Sequence, residues 1–449
     1  MQNLILESTN KEAGWLKGFR KKSFESFNNL PLEQSSLFTK YTDENCLNLE
    51  KFSQNSKKSG EIPEYLKDSD SITLIRNGSN IFISEINPEL KKYGIIFTDI
   101  ITAIEKCPNL IKRYLLENMK SENKLESFNS AFFSNGIFLY VPKNVNVKIP
   151  FRSISLEDRQ NISSRNIIIA DPQSYFTFIE ENYSLTDNPQ PSLFTNFTEI
   201  FLGENSQVVF GGLQNLGSNV TDVDIKKCFC ENNSQISWNL SMFGGKFTKS
   251  QVDSVLKGNG STAIDNQIIF GDKTQKFDIM SNLIHTGEST TGRTRSKGVM
   301  KDSANAVMKG MIDINKNAKN SNAYLAEYAM LLSKDAKADT IPSLEIKNKD
   351  VKATHSASVS QVNEDQIFYL MSRGLSENDA RKTLVYGFFE PLIQTIPLSH
   401  IRKLARSIVD SKWKGEKMSI PSKEFLSSLE DHIEDVQEKD IFSGHYKYR

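Results

Sequence analysis

The chain has 449 residues, 38% of them hydrophobic, and its 55 lysines and arginines balance its 55 aspartates and glutamates. That length predicts two or three domains with a large core, and the zero net charge gives no electrostatic reason to expect nucleic acid or anionic lipid as partner. Four cysteines form no disulfide framework, no stretch approaches the roughly 18 apolar residues of a membrane span, and residues 1–10 resemble neither a signal core nor a transit segment, so a soluble cytoplasmic protein is expected.

Residues 1–134 read as an N-terminal helical domain. Asn10 is placed to cap a helix carrying Trp15, Leu16, Phe19, Phe24 and Phe27, which Leu30-Pro31 ends. The polar run Ser53 to Gly60 reads as a linker. A second helical pattern covers Thr98 to Leu116, with Thr98 as cap, and Pro108 splits it into two short helices.

Residues 135–362 read as strands, among them Gly136 to Val141, Asn166 to Ala170, Ser174 to Ile179 and Gln207 to Phe210, each bounded by Gly, Asn, Asp or Pro. Turn-like clusters recur ahead of alternating segments: GENSQVVF from Gly203, ENNSQISW from Glu231, GNGSTAID from Gly258 and KDSANAVM from Lys301. The aligned serines Ser206, Ser234 and Ser261 stand 28 and 27 residues apart, and a second set, at 303, 318, 336 and 351, is spaced 15, 18 and 15 apart. A turn-then-strand unit about every 15 residues favours a solenoid of stacked strands, with small residues at its corners, over a β-sandwich with chance spacing.

Residues 363–449 return to helix. Asn363 and Gln366 have capping-box spacing, Gly374 ends the first helix, Ser376 with Asp379 starts the next, Pro391 interrupts it, and a third covers Leu398 to Ser411.

Enzyme machinery is absent from the local motifs. There is no phosphate loop, no GxGxxG ahead of a helix, no GxSxG elbow and no HExxH, and no two of the five histidines lie within four residues. Cys228 and Cys230 fall on one strand face, where a soft-metal site competes with the favoured reading of two small buried core residues. His355, a lone histidine in VKATHSASVSQV, makes no claim to ligation by spacing alone. Trp238 and Glu327 make none on chemistry alone. The apolar face from Phe368 to Phe389 is most simply packed on its own domain.

The stretch from His285 to Pro391 resembles the core of the SufB/SufD family. The matching elements are His285, Lys297-Gly298-Val299, Gly310-x-Ile312, Ala323-Tyr324, Leu331-Leu332-Ser333, Thr340-Ile341-Pro342, Leu344-Glu345-Ile346, Asp350-Val351, His355, Phe368-Tyr369-Leu370, Ser372-Arg373-Gly374, Ala380-Arg381 and Gly387-Phe388. Trp15-Leu16, Arg20 and Leu30-Pro31 resemble the start of a SufD chain. SufB chains carry a cysteine where this one has Glu327 and a glutamate where it has Ser356, so the resemblance is to the SufD branch, although Ala353 stands where many SufD chains have cysteine.

The resemblance implies a right-handed parallel β-helix core flanked by N-terminal and C-terminal α-helical domains. It also implies a non-enzymatic scaffold for iron–sulfur cluster assembly. Such a subunit pairs with SufB through the β-helix and with the ATPase SufC through the C-terminal helices, in a SufBCD complex. On this reading His355 offers an imidazole nitrogen to iron or to a nascent, transient cluster, none of it tightly held by the isolated chain. Arg373, Gly374, Arg381, Gly387, Phe388 and Pro391 mark the SufC-docking helices. A homodimeric, SufB-like scaffold is one alternative. A β-helix polysaccharide-active enzyme is another, for which Asp313, Glu345 and Asp365 are the imaginable carboxylates, with nothing in the sequence pairing them.

Overall fold

The computed structural model describes residues 12–416 and 420, apart from 34–36, 42–46, 48, 50–59, 68–70, 118–122, 159 and 186–189. Asn10, Cys46 and nearly all of the Ser53–Gly60 run lie outside the described residues.

Two sheets face each other. One contains, in spatial order, β2 (Asn80–Ile83), β1 (Ile72–Asn77), β5 (Phe151–Glu157), β7 (Tyr175–Ser184), β9 (Gln207–Asn215), β11 (Gln235–Met242), β13 (Thr262–Gly271), β15 (Thr291–Met300), β17 (Asn322–Leu331) and β19 (Lys352–Gln361). The other contains β3 (Ile96–Asp99), β4 (Ile137–Val141), β6 (Ile162–Ala170), β8 (Ser192–Leu202), β10 (Val220–Cys230), β12 (Phe247–Leu256), β14 (Lys276–His285), β16 (Asn305–Ile314) and β18 (Lys337–Ile346). From β4 onward the chain alternates between the sheets and every strand pair is parallel. This is a parallel β-solenoid. One coil consists of two strands, so the spacing near 15 is the strand interval, and the serine spacings of 28 and 27 are full coils: Gln207 pairs with Gln235, and Gln235 with Thr262.

The corners explain the repeat. Asn205, Asn233 and Gly260 have φ of 55°, 53° and 69°, the left-handed region that asparagine and glycine tolerate best. The serine that follows each is buried, and its hydroxyl donates to the carbonyl three residues back, with Ser206–Gly203, Ser234–Glu231 and Ser261–Gly258 all at 2.7 Å. At other corners Ala304, Ala318 and Ala336 are buried in the same small-residue role.

The core between the sheets is a column of apolar side chains including Phe151, Phe176, Phe178, Phe210, Trp238, Ile269, Leu283, Met308 and Leu325. Its first end is closed. The N-terminal region is mixed rather than purely helical: β2 and β3 pair antiparallel to β1 and β4, and Ile86, Ile95 and Phe97 plug the column beside α2 (Pro88–Lys92). Helices sheathe the flanks. On the nine-stranded sheet lie α1 (Gly14–Asn29), α3 (Ile100–Lys106), α4 (Pro108–Glu117) and α5 (Lys124–Phe132). Pro108 does separate two helices, but Asp99, the last residue of β3, rather than Thr98 is the cap, because it directly precedes the helix and its carboxylate accepts from the Thr102 amide at 2.9 Å.

The C-terminal helices are α6 (Glu364–Ser372), α7 (Glu377–Ile393) and α8 (Ser399–Lys414). Asn363 and Ser376 cap the first two as expected, and Gly374 follows α6 with φ 98°. Pro391 lies inside α7 rather than interrupting it; it falls in the last turn, and the helix continues to Ile393. Phe389, Ile393, Leu404 and Ile408 pack on the outer face of the ten-stranded sheet against Ile268, Phe270 and Val299.

Candidate functional site

The second end of the solenoid is open. β18 and β19 are the last strands of their sheets, and no described residue pairs beyond them. Lys337 and Lys347 donate their amides back to Ala304 and Ile314, so the odd-numbered amides of β18 face the preceding coil and the even-numbered positions face outward. Pro342 occupies one of the outward positions and contributes no donor there, a common restraint on an exposed strand edge. Leu344, Ile346 and Val359 are 37%, 43% and 40% exposed at this end.

His355 lies in β19 in register with Leu325, a member of the inter-sheet core. Alternation along the strand therefore turns its imidazole toward the mouth of the column, with Ala353 and Ala357 as the inward neighbours on either side. The ring is exposed. Glu327 lies on the same inward face of β17, in register with Ala357 above and Ser296 below. It is 1% exposed, its Oε2 has no hydrogen-bond partner, and the Ile341 backbone is its donor. Burial pushes this carboxyl up to about 8.

Deeper in the column the inward positions turn polar. Lys226 donates to Glu180 at 2.7 Å and to both Asp224 oxygens at 2.7 and 2.6 Å, while Asn166 and Asn196 donate to Glu180 at 3.1 and 2.9 Å. Burial alone would raise Glu180, but the Lys226 charge holds it below the usual carboxylate range. Burial likewise pulls the Lys226 ammonium down, and Asp224 and Glu180 more than reverse this. Nearer the mouth, Asp265 accepts from Gln267 at 2.7 Å and Ser281 at 2.6 Å through Oδ2, while Oδ1 has no partner. Burial pushes Asp265 up to about 6. A folded-state value above the unfolded one favours folding below the unfolded value, and that contribution is lost as pH rises through the folded value. Asp265→Asn should therefore gain stability relative to the parent by about 3 kcal/mol between about pH 4 and about pH 7, as two urea-unfolding series would measure.

The residues singled out in the sequence do not converge on one place. Cys228 and Cys230 are buried core residues with sulfurs 3.7 Å apart, and burial pushes the Cys228 thiol up, as suits inert packing. His285 is buried, its Nδ1 shares a 2.7 Å hydrogen bond with Thr290, and burial pulls it down to about 4. Gly292 leaves room for that ring, since a Cβ there would lie 2.7 Å from Nε2. Lys297 donates to the Phe388 carbonyl at 2.6 Å, joining two elements of the family signature and fastening α7 to the solenoid. Arg381 ties α7 to α6 through Glu364 at 3.0 Å and bonds Glu377 of its own helix, also at 3.0 Å. Arg373 lies over the Tyr369 ring at 5.2 Å, and Arg373, Gly374, Gly387 and Pro391 are exposed. Beside them α6 presents Phe368, Tyr369 and Met371 at 74%, 56% and 43% exposure, so the face expected to pack on its own domain does so in α7, where Ala380, Val385 and Phe389 are buried, but not along α6. Asp313 and Glu345, unpaired in the sequence reading, are register partners, but Lys347 bridges them at 3.6 and 2.7 Å. Asp365 stands apart from them, at the start of α6.

Sequence reasoning passed over Glu327. The signal was present: Ala323, Leu325, Ala329 and Leu331 alternate with it on one apolar face, which puts a carboxyl where a hydrophobic residue belongs.

The fold is a parallel β-solenoid plugged at one end, open at the other and sheathed by helices, and among the described residues no three His, Cys, Asp or Glu side chains gather to hold a metal. Residues 153–388 match the family described as SUF system FeS cluster assembly, SufBD core domain, and residues 8–152 match the SufBD protein N-terminal region. The chain belongs to the SufBD family. It is 30% identical over 418 residues to the iron-sulfur cluster assembly protein SufD of Bacillus subtilis, covering 90% of this chain and 95% of that one. It is 28% identical over 427 residues to SufBD family proteins of Staphylococcus saprophyticus and Staphylococcus aureus, covering 91% of this chain and 92% of each relative. No helix among the described residues is long and apolar enough to cross a membrane.

Proposed function

We propose that this chain is a non-enzymatic, SufD-like scaffold subunit in a cytoplasmic SufBCD complex. It pairs with a SufB-like subunit through the open solenoid end and with the SufC ATPase through α6 and α7. The observation that carries this reading is the pair of unfinished surfaces in an otherwise closed fold: the mouth with exposed Leu344, Ile346 and Val359, and the apolar face of α6. Both lie in segments that carry the family signature.

His355 is the residue this chain offers to iron or to the growing cluster, which is the cargo of the complex. The fit rests on the exposed imidazole between two alanines at the mouth, where a partner docked on the same edge brings its own ligands within reach. His355 alone does not fill a coordination sphere, and ligands from the partner chain help to complete it. The protein shields and orients the cluster, and SufC supplies the ATP turnover that rearranges the pair.

The test is co-production of this chain with SufB-like and SufC-like subunits, wild type beside His355→Ala, with anaerobic iron and sulfide analysis. The expected result is an intact three-component complex from both forms, with cluster iron reduced about tenfold or more in the variant. Unchanged iron would remove His355 from the site; failure of the subunits to co-purify would remove the scaffold assignment.

A further inference from the structure

We infer that Glu327 is a second metal ligand of this chain, and that with His355 it forms a two-residue seat for a mononuclear divalent ion, iron(II) in function, at the mouth of the solenoid. The inference deepens the reading of His355 given above and rests on it.

A carboxyl group buried in an apolar column without full hydrogen bonding is destabilising. Glu327 is in that position: 1% exposed, its Oε2 unpartnered, on a face otherwise made of Ala323, Leu325 and Ala329. Leucine or alanine would suit the fold better there. Other buried acids of the column meet side-chain donors, as Glu180 meets Lys226 and Asn196 from the facing sheet, and Asp265 meets Gln267 on its own strand and Ser281 on the facing sheet. Glu327, with Ser296 below it and Ala357 above, meets the Ile341 backbone and leaves Oε2 unpartnered.

Its place in the coil supplies the missing partner. β17 and β18 form the last complete coil, and β19 adds only half of the next. Above Glu327 stands Ala357 on one sheet, and β18, the last strand of the other sheet, leaves no further strand to cover the coil. Glu327 and His355 are diagonal neighbours on adjacent strands, both turned inward, with Cβ atoms about 8 Å apart from strand spacing and rise. A glutamate and a histidine side chain span that distance around one ion with bonds of about 2.1 Å. Ala353 and Ala357 keep the space beside His355 clear of bulk, and below it Leu325 fills the room left by Gly310 and forms an apolar floor. One carboxylate oxygen and one imidazole nitrogen suit a first-row divalent ion better than a soft thiophilic one. On binding, the ion replaces the carboxyl proton, which leaves to solvent, and the open side keeps positions for water or for ligands from a docked partner.

The test uses the full chain without partners, with Co(II) as a spectroscopic probe followed by its visible d–d absorption. Wild type should bind one Co(II), and Glu327→Gln, which keeps size and removes charge, should weaken binding about tenfold or more, as should His355→Ala. Glu327→Asp, which keeps the carboxylate on a shorter stem, should retain the d–d band with altered intensity, whereas a merely structural Glu327 would leave the spectrum untouched. If only His355→Ala weakens Co(II), the role of Glu327 is overturned while His355 stands. If wild type gives no d–d band at millimolar Co(II), the two-residue seat is overturned, and the co-purification experiment still decides the scaffold reading by itself. If only the Glu327 variants weaken binding, pairing with His355 is overturned.

Discussion

Replacing Lys226 by methionine should destabilise the chain by about 3–5 kcal/mol, the usual consequence of removing one partner from a buried ion pair. Lys226 is fully enclosed inside the solenoid and supplies three contacts of 2.6–2.7 Å to Glu180 and Asp224. Methionine fills the space of the stem but leaves two carboxylates facing each other in a dry column. Arg76 remains as a source of positive charge acting on Glu180, but its guanidinium donates to Ser155 at 2.6 Å rather than to the carboxylate. Without Lys226, Glu180 should join Asp224, already raised by burial, in titrating above its unfolded value. The variant should then recover more stability than the parent as pH falls and the acids become neutral. Adding Glu180→Gln to Lys226→Met should restore at least half of the loss, and denaturant unfolding of the three proteins at two pH values measures all of this. Equal stability of parent and single variant would mean that the column is hydrated enough to solvate the pair.

The second large effect concerns assembly. Leu344→Asp combined with Val359→Asp should leave the isolated chain folded, since both side chains are already 37% and 40% exposed, yet abolish pairing through the open end. Each lost apolar contact removes about 1.5–3 kcal/mol, and a carboxylate trapped in the interface adds a desolvation cost. Together these exceed about 3 kcal/mol, at least a hundredfold in affinity. Sedimentation of the mixed subunits would show separate species where the parent forms a complex. Binding to the SufC-like subunit should be unchanged, because Phe368, Tyr369 and Met371 are untouched. Persistence of the pair would move the interface away from the mouth.

The corners were legible because their chemistry is local: a left-handed asparagine or glycine followed by a buried serine repeats coil after coil regardless of what packs outside. The caps at Asn363 and Ser376 were legible for the same reason. The coil length was not, since one coil is two strands on different sheets and no local feature separates a strand interval from a full turn. β1 also escapes notice, inside a region that reads as helical, and β5 does not stand out within the region that reads as strands. In a solenoid sheathed by helices both strand faces are buried, so the usual alternation of apolar and polar residues disappears; Phe151 to Glu157 reads FRSISLE and is buried throughout. The inward polar residues were illegible for a related reason. Asn166, Glu180, Asn196, Asp224 and Lys226 have the composition of solvent-facing positions, and only the stacking of the coils and the facing of the two sheets bring them together. Glu327 shows the limit clearly: its neighbours reveal burial, but its closeness to His355 exists only through the pairing of β17 with β19.

The unequal ends of the solenoid set a rule of arithmetic. Antiparallel strands and the plug of Ile86, Ile95 and Phe97 retire one terminus, and only the β18–β19 terminus can be extended. A stacked-strand body with two live ends grows without limit, as fibrils do. One with a single live end has a valence of one along its axis: two such bodies meet mouth to mouth and the growth stops. On the proposed reading, covering that mouth also hides the most aggregation-prone edge, so overproduction of this chain by itself would leave that edge unpaired.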